Sequence, residues 1–393
     1  MEEIREKFPF FQYNKDIVYL DNANTSQIYG LCLSQINKIY CETNYNIGRS
    51  GYEGARKAQT LKEDSQKIFA DFIGALPEQI IFTTGATEGL NLIAYSLCKK
   101  AIEQNRKLTI LTTELEHASA LMPWMAFGQN NIQLHYLKLQ DDFSLPDADE
   151  IKATIEKIKP DILLLSSMTN TTGEYRNIKE IGEIAQTHNV LFIVDHAQGA
   201  AHLQIDVRKC HIDYLAFSTH KMYGPKGVGI LYAKNPDTIV PIKYGGGMNK
   251  FYEYDGNYEL ADGLSRMYAG TENVPNIRAA AECVNFLKSQ WSSILSKETY
   301  LGLFAYQLLS KLPGVTIYSK NTSPIILFKI EGYESSDIMN FLSEKNVYIR
   351  AGNHCAKLTK SLFGLSTCRV SLGIYNTEDD IYKLYSSLKE MLK

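Results

Sequence analysis

The strongest constraint on the fold is an alternation, from about residue 16 to residue 232, of short apolar runs with longer amphipathic segments. That is the pattern of successive β-α units around a largely parallel sheet. The runs over 80–82, 108–112, 162–165, 190–194 and 214–217 are the expected strands. Each ends in a polar cluster: Thr83-Thr84-Gly85, Glu114-Leu115-Glu116-His117, residues 166–170, residues 195–198 and residues 218–221. Open α/β sheets bind ligands beyond the carboxyl ends of their strands, so these clusters are expected to meet around one crevice.

The second half reads differently. A Gly- and Tyr-rich stretch over 245–270 predicts a hairpin or loop excursion. Helical patterns over 277–288 and 298–312, an alternating run over 323–330 and a final helix over 377–392 predict a small α+β domain. With 393 residues the chain exceeds what one core usually supports. The expected division is a large domain over 16–275 and a smaller C-terminal domain over 276–393, joined by the N-terminal segment 1–15.

Composition excludes several function classes. Hydrophobic residues make up 45% and charged residues 22%, the balance of a soluble globular protein. The 41 basic and 44 acidic residues are interspersed, which argues against nucleic acid or an anionic membrane as partner. The N-terminus is charged from its start, without the apolar core of a signal peptide, and no apolar run reaches transmembrane length. Seven cysteines, at 32, 41, 98, 210, 283, 355 and 368, form no C-x-x-C pair, so neither a disulfide framework nor a zinc ribbon is expected. The expected compartment is the reducing cytoplasm.

The chemistry begins with Asp195, which ends a strand that is apolar on both faces. An Asp there could simply cap a loop or a helix. Twenty-six residues on, however, Ser218-Thr219-His220-Lys221 follows another strand and leads into Tyr223-Gly224-Pro225-Lys226-Gly227. A lysine enclosed in this way loses its proton easily and becomes an amine nucleophile. Thr84-Gly85-Ala86-Thr87-Glu88 lies between a strand and an amphipathic segment, where free N–H groups at a helix start can cradle a phosphate. A lysine amine, a carboxylate for a ring nitrogen and a phosphate cradle are what pyridoxal 5'-phosphate (PLP) chemistry requires.

Taken in order, T-G-A-T-E, E-x-E-H, N-T-T-G, D-H-A-Q, S-T-H-K and A-G-T resemble the class V aminotransferase group of fold-type I PLP enzymes. Within that group, Arg350-Ala351-Gly352-Asn353-His354-Cys355-Ala356 followed by Cys368-Arg369-Val370-Ser371-Leu372 is most similar to the cysteine desulfurases and selenocysteine lyases. The resemblance implies a homodimeric, PLP-dependent enzyme that converts L-cysteine, or L-selenocysteine, to L-alanine. It implies that Lys221 carries the cofactor covalently, Asp195 pairs with the pyridine nitrogen, Gln198 and Asn170 reach the phenolic oxygen, and His117 stacks on the ring. Ala86, Thr87, Ser218 and His220 would bind the phosphate, with Thr271 reaching it from the second subunit. Arg369, with Asn170, would hold the substrate carboxylate. Cys355 would accept sulfur as a persulfide and pass it to an acceptor protein.

The short gap from Cys355 to Arg369 resembles the second of two desulfurase groups, whose cysteine sits on a compact loop. The chain departs from that group near its N-terminus, where it reads Ile47-Gly48-Arg49-Ser50-Gly51-Tyr52 in place of H-R-G-x-H. Asn353 stands for a second frequent histidine, and His196 for a small residue. The alternatives are another class V PLP enzyme (a C–S lyase, selenocysteine lyase, epimerase or aminotransferase acting on a small amino acid) and a non-catalytic scaffold.

Overall fold

The computed structural model describes residues 2–48, 50–128, 131–140, 142–364 and 366–393. Seven strands form one sheet, in the order Ile80–Thr83, Gly229–Ala233, Tyr214–Ser218, Leu191–Asp195, Ile162–Ser166, Leu108–Thr113 and Ile132–Leu137. All neighbours run parallel except Gly229–Ala233, which is antiparallel to both strands beside it. Each of the five expected strands is present, extended by one residue into its polar cluster or shifted by one.

The sheet is covered on both faces. Phe192 and Val194 point into one core, and Ile193 between them points into the other. Continuous rather than alternating apolar runs are therefore what the sequence has to supply. Register then aligns the strand ends: Ser166 pairs with Asp195 and Asp195 with Ala216, so the polar clusters share one rim.

Two features differ from the sequence expectation. The helical patterns over 277–288 and 298–312 belong to one helix, Val274–Leu309, of 36 residues. At about 1.5 Å per residue it is about 54 Å long. Its first half, from Ile277 to Ile294, packs with the large sheet, and Leu301 to Leu309 pack in a separate core. The apolar face changes partner midway, which is why its sequence reads as two segments. The run over 323–330 forms the strand Ile325–Ile330, but every residue in it except Lys329 is buried.

That second core belongs to a four-stranded antiparallel sheet ordered Val315–Ile317, Ile325–Ile330, Cys368–Ser371, Arg350–Ala351. The N-terminal strand Val18–Tyr19 runs parallel to Val347–Tyr348, and Leu20 is buried in the same core. The segment after residue 20 therefore reaches the strand-end rim from the small-sheet side. The expected excursion is an antiparallel hairpin, Asn249–Tyr252 with Tyr258–Leu260. Among the described residues no helix is long and apolar enough to cross a membrane.

Candidate functional site

All of the sequence-predicted site residues except Thr271 line one cavity of about 210 Å³. Its floor is the rim of the large sheet and its roof is a loop of the small one. Thr271 instead borders a separate depression with Asn44 and Tyr45.

Lys221 sits in the 3-10 turn Thr219–Lys221 directly after its strand. The Thr219 hydroxyl donates to the carbonyls of Pro225 and Val228, at 2.7 and 3.1 Å, and folds the following loop back under the turn. Desolvation in this enclosure pulls the Lys221 ammonium down to about 8, with Arg369 and Arg350 adding to the effect and Asp195 opposing it. Asp195 is buried, which pushes its carboxyl up to about 6 against the Ala197 N–H bond and the Lys221 charge. Its Oδ1 accepts from Ala197 N at 2.9 Å. Its other oxygen has no hydrogen-bond partner among the described residues.

The phosphate side is built on the N-terminus of the helix Ala86–Glu103. Ser218 Oγ accepts from Ala86 N at 2.7 Å and ties that helix start to the strand bearing the lysine turn. Gly229 makes this approach possible, since a Cβ there would lie 2.4 Å from the Gly85 Cα. Thr87 and Ser119 hydroxyls meet at 2.8 Å across the rim, and His220 Nδ1 lies 3.2 Å from Thr25 Oγ1.

His117 follows the strand Leu108–Thr113. The loop that carries it is braced by a fully buried pair, Glu116 with Arg176 at 2.9 Å, which also engages Thr113 and Ser166. Ser119 N–H donates to His117 Nδ1 at 3.1 Å, leaving the ring proton on Nε2. Burial, then Lys221, Arg369 and Arg350, bring the imidazole down to about 4, so it is neutral near pH 7.

The roof is the segment from Arg350 to Ala356. Gly352, His354 and Cys355 all have positive φ, at 106, 53 and 60°. Left-handed backbone is strained for residues with a Cβ. Asn170 Nδ2 donates to the His354 carbonyl at 2.7 Å and Ala118 N to the Cys355 carbonyl at 2.9 Å; Gly352 N donates to the Thr367 carbonyl at 2.9 Å and the Thr367 hydroxyl to the Gly352 carbonyl at 2.8 Å; within the loop, Cys355 N donates to Asn353 Oδ1 at 3.2 Å. The result is an exposed thiol over the cavity. Arg350 Nη2 is 3.6 Å from its sulfur. His354 takes no part in charging that thiol: its Nε2 bonds Thr367 at 3.1 Å, and burial holds it neutral, down to about 2.

Arg369 is 2% exposed. Its Nη1 donates to the Asn170 carbonyl at 2.9 Å and its Nη2 to Asp21 Oδ1 at 3.0 Å. Arg350 and Arg369 are register partners on antiparallel strands, and such partners share a face. The cavity is thus lined by three cationic side chains, Lys221, Arg350 and Arg369, against one carboxylate, Asp195. That balance suits anionic groups such as a phosphate and a carboxylate.

The donor set fits PLP. A carboxylate with a free, desolvated oxygen matches a protonated ring nitrogen, a readily neutralised lysine amine matches an aldehyde, and the tied helix start matches a phosphate. Sequence reading gave no role to Arg350, although the register pairing accounts for it, nor to Ser119, Ala23 or Asn24, which also line the cavity. Gln198 donates from Nε2 to the Ala23 carbonyl at 2.6 Å. Gly48, Ser50 and Gly51, from the segment with the departing N-terminal motif, line a separate pocket beside Lys62 and Glu272. Arg49 lies outside the described residues.

Comparison with known proteins agrees with this geometry. The model of the aminotransferase class-V family matches residues 18–384. A protein of Halalkalibacterium halodurans described as "probable cysteine desulfurase" is 32% identical over 99% of this chain and 97% of the relative. One of Ureaplasma parvum with the same description is 31% identical over 100% of this chain and 98% of its own. Among solved structures, the apo cysteine desulfurase of Thermococcus onnurineus superposes with a TM-score of 0.92 at 28% identity, covering 100% of this chain and 98% of that one. An S-sulfonic acid form of an Escherichia coli cysteine desulfurase gives 0.87, also at 28% identity, with 100% and 99% covered.

Proposed function

The chain belongs to the aminotransferase class-V family, and on that premise we propose that it is a PLP-dependent cysteine desulfurase with Cys355 as its sulfur acceptor. The observation that carries this reading is one cavity holding both the desolvated Lys221 amine and the exposed Cys355 thiol beside a cation. An aminotransferase or epimerase needs the first and has no use for the second.

When bound, PLP supplies an electron sink conjugated to the substrate Cα. Asp195 holds a proton at the pyridine nitrogen, which its raised affinity for protons and its free oxygen suit. Arg369 binds the carboxylate of L-cysteine. Lys221, once free as an amine near its lowered pKa of about 8, takes the Cα proton. His117 is neutral and presents Nε2–H to the cavity as a donor. Cys355 attacks the substrate sulfur as a thiolate, with the Arg350 guanidinium beside it. An S–S bond forms as the substrate Cβ–S bond breaks, and the electron pair released goes to the carbon skeleton. That skeleton takes up protons and leaves as L-alanine, and the extra sulfur stays on Cys355 as a persulfide.

We propose further that the working unit is a homodimer, to which Thr271 contributes across the interface, and that a sulfur-acceptor protein in the cytoplasm unloads Cys355. The test is alanine release from L-cysteine in the presence of a thiol reductant. Cys355→Ser is expected to retain PLP and lose that release by several orders of magnitude, because a hydroxyl does not supply the anionic nucleophile. Alanine release by Cys355→Ser at the wild-type rate would favour a C–S lyase instead.

A further inference from the structure

We infer that Asp21 is a positioning residue for substrate recognition: it fixes the Arg369 guanidinium in the orientation that meets the substrate carboxylate. This rests on the reading of Arg369 as the carboxylate anchor. Asp21 does not line the cavity. It stands behind the guanidinium and acts only through it.

Arg369 has five N–H donors in a planar fork. One on Nη2 goes to Asp21 Oδ1 at 3.0 Å and one on Nη1 to the Asn170 carbonyl at 2.9 Å. Two bonds from the two ends of the fork fix its plane. Three donors remain, among them the Nε–H, which is buried and has no partner. The other two, one on each Nη, are the donors an incoming carboxylate would meet in charge-assisted bonds.

Asp21 is itself held in place. Its Oδ2 accepts from Asn24 Nδ2 at 3.0 Å, its carbonyl accepts from the Tyr19 hydroxyl at 3.3 Å, and its backbone bridges Ser371. Both Ser371 and Arg369 lie on the strand Cys368–Ser371. The carboxylate is thus anchored to the strand that carries the arginine, while Asn170 comes from the large-sheet side. Without Asp21, the long cationic side chain keeps only the Asn170 carbonyl to orient it.

A carboxylate behind the arginine also competes with the substrate for its charge. Positioning outweighs competition because Asp21 uses one donor of five and, with Asn170 using another, leaves three unpaired, while a freed side chain must be immobilised again on each binding event.

The test uses the holoenzyme and two ligands followed by the cofactor absorbance: L-alanine, and ethylamine, which is alanine without its carboxylate. Asp21→Ala is expected to weaken L-alanine by about tenfold, the size of one charge-assisted bond, and to leave ethylamine unchanged. Asp21→Asn, which keeps the shape and an oxygen acceptor, is expected to show a smaller loss and also covers the case in which the alanine variant does not fold. Arg369→Ala is measured alongside. If it weakens L-alanine and neither Asp21 variant does, the inference is overturned and the anchor stands. If Arg369→Ala has no effect on L-alanine, both fall. Equal weakening of both ligands, or tighter L-alanine binding, would also overturn the inference, since the first marks a general structural role and the second competition.

Discussion

The floor and the roof of the cavity are built on opposite principles. Asp195, Lys221 and Ser218 stand at the ends of adjacent buried strands or in the turn after one, fixed by sheet register and by side-chain bonds to the backbone. Cys355 stands on a loop with three positive-φ residues, tied to the large-sheet side by Asn170 and Ala118. In the proposed function the floor holds the cofactor, and such groups gain from rigid placement. In the proposed function the roof carries the one residue that would meet the substrate sulfur and then release its load to another molecule. A loop suits that task better than a strand end.

The largest expected effect removes the floor. Lys221→Ala should lower turnover by several orders of magnitude and abolish the pyridoxyl label that borohydride leaves on the wild-type enzyme, read by peptide mapping. A label on another lysine would break the assignment. A roof variant should behave differently. Arg350→Gln should keep PLP and the Lys221 label but slow alkylation of Cys355 by iodoacetamide about fivefold at neutral pH, the worth of about 1 kcal/mol for a solvent-exposed charge contact. An unchanged rate would mean that the guanidinium does not act on the sulfur.

The smallest effect concerns stability. His117 and His220 are lowered to about 4, His196 to about 3 and His354 to about 2, each chiefly by burial. The unfolded chain therefore binds more protons than the folded one below the ordinary histidine pKa of about 6.5. Their contribution is fully present above that pH and is lost as pH falls toward 4. Asp195, raised to about 6, contributes with the opposite sign between about 4 and 6. Four histidines outweigh one aspartate, so the melting temperature of the cofactor-free protein should fall from pH 7 to pH 5. A rise over that range would contradict the burial argument.

The floor was legible in the sequence because buried parallel strands must be apolar throughout and end abruptly in polar residues, a local signal. The strand Ile132–Leu137 escaped because it is the sheet edge, with most of its residues half-buried, and Gly229–Ala233 because it follows a glycine-rich turn and runs against its neighbours. Cys355 was found through its motif. The part played by Arg350 was not, because it depends on pairing with Arg369, nineteen residues away, across a sheet whose register no local pattern encodes. The bond between Asp21 and Arg369 joins residues 348 apart, and short-range spacing carries no trace of it.

Selective sulfur transfer to the roof cysteine, and to no other, is expected of the loaded enzyme. It is most directly tested by incubating the loaded enzyme with L-cysteine without reductant, trapping with an alkylating agent and mapping the peptides by mass spectrometry. Cys41 is the internal control, since it and Cys355 are the two exposed cysteines. The expected result is one added sulfur atom on the peptide containing Cys355 and none on Cys41, with L-alanine formed in equal amount. Alanine without sulfur on Cys355, or sulfur shared equally with Cys41, would contradict it.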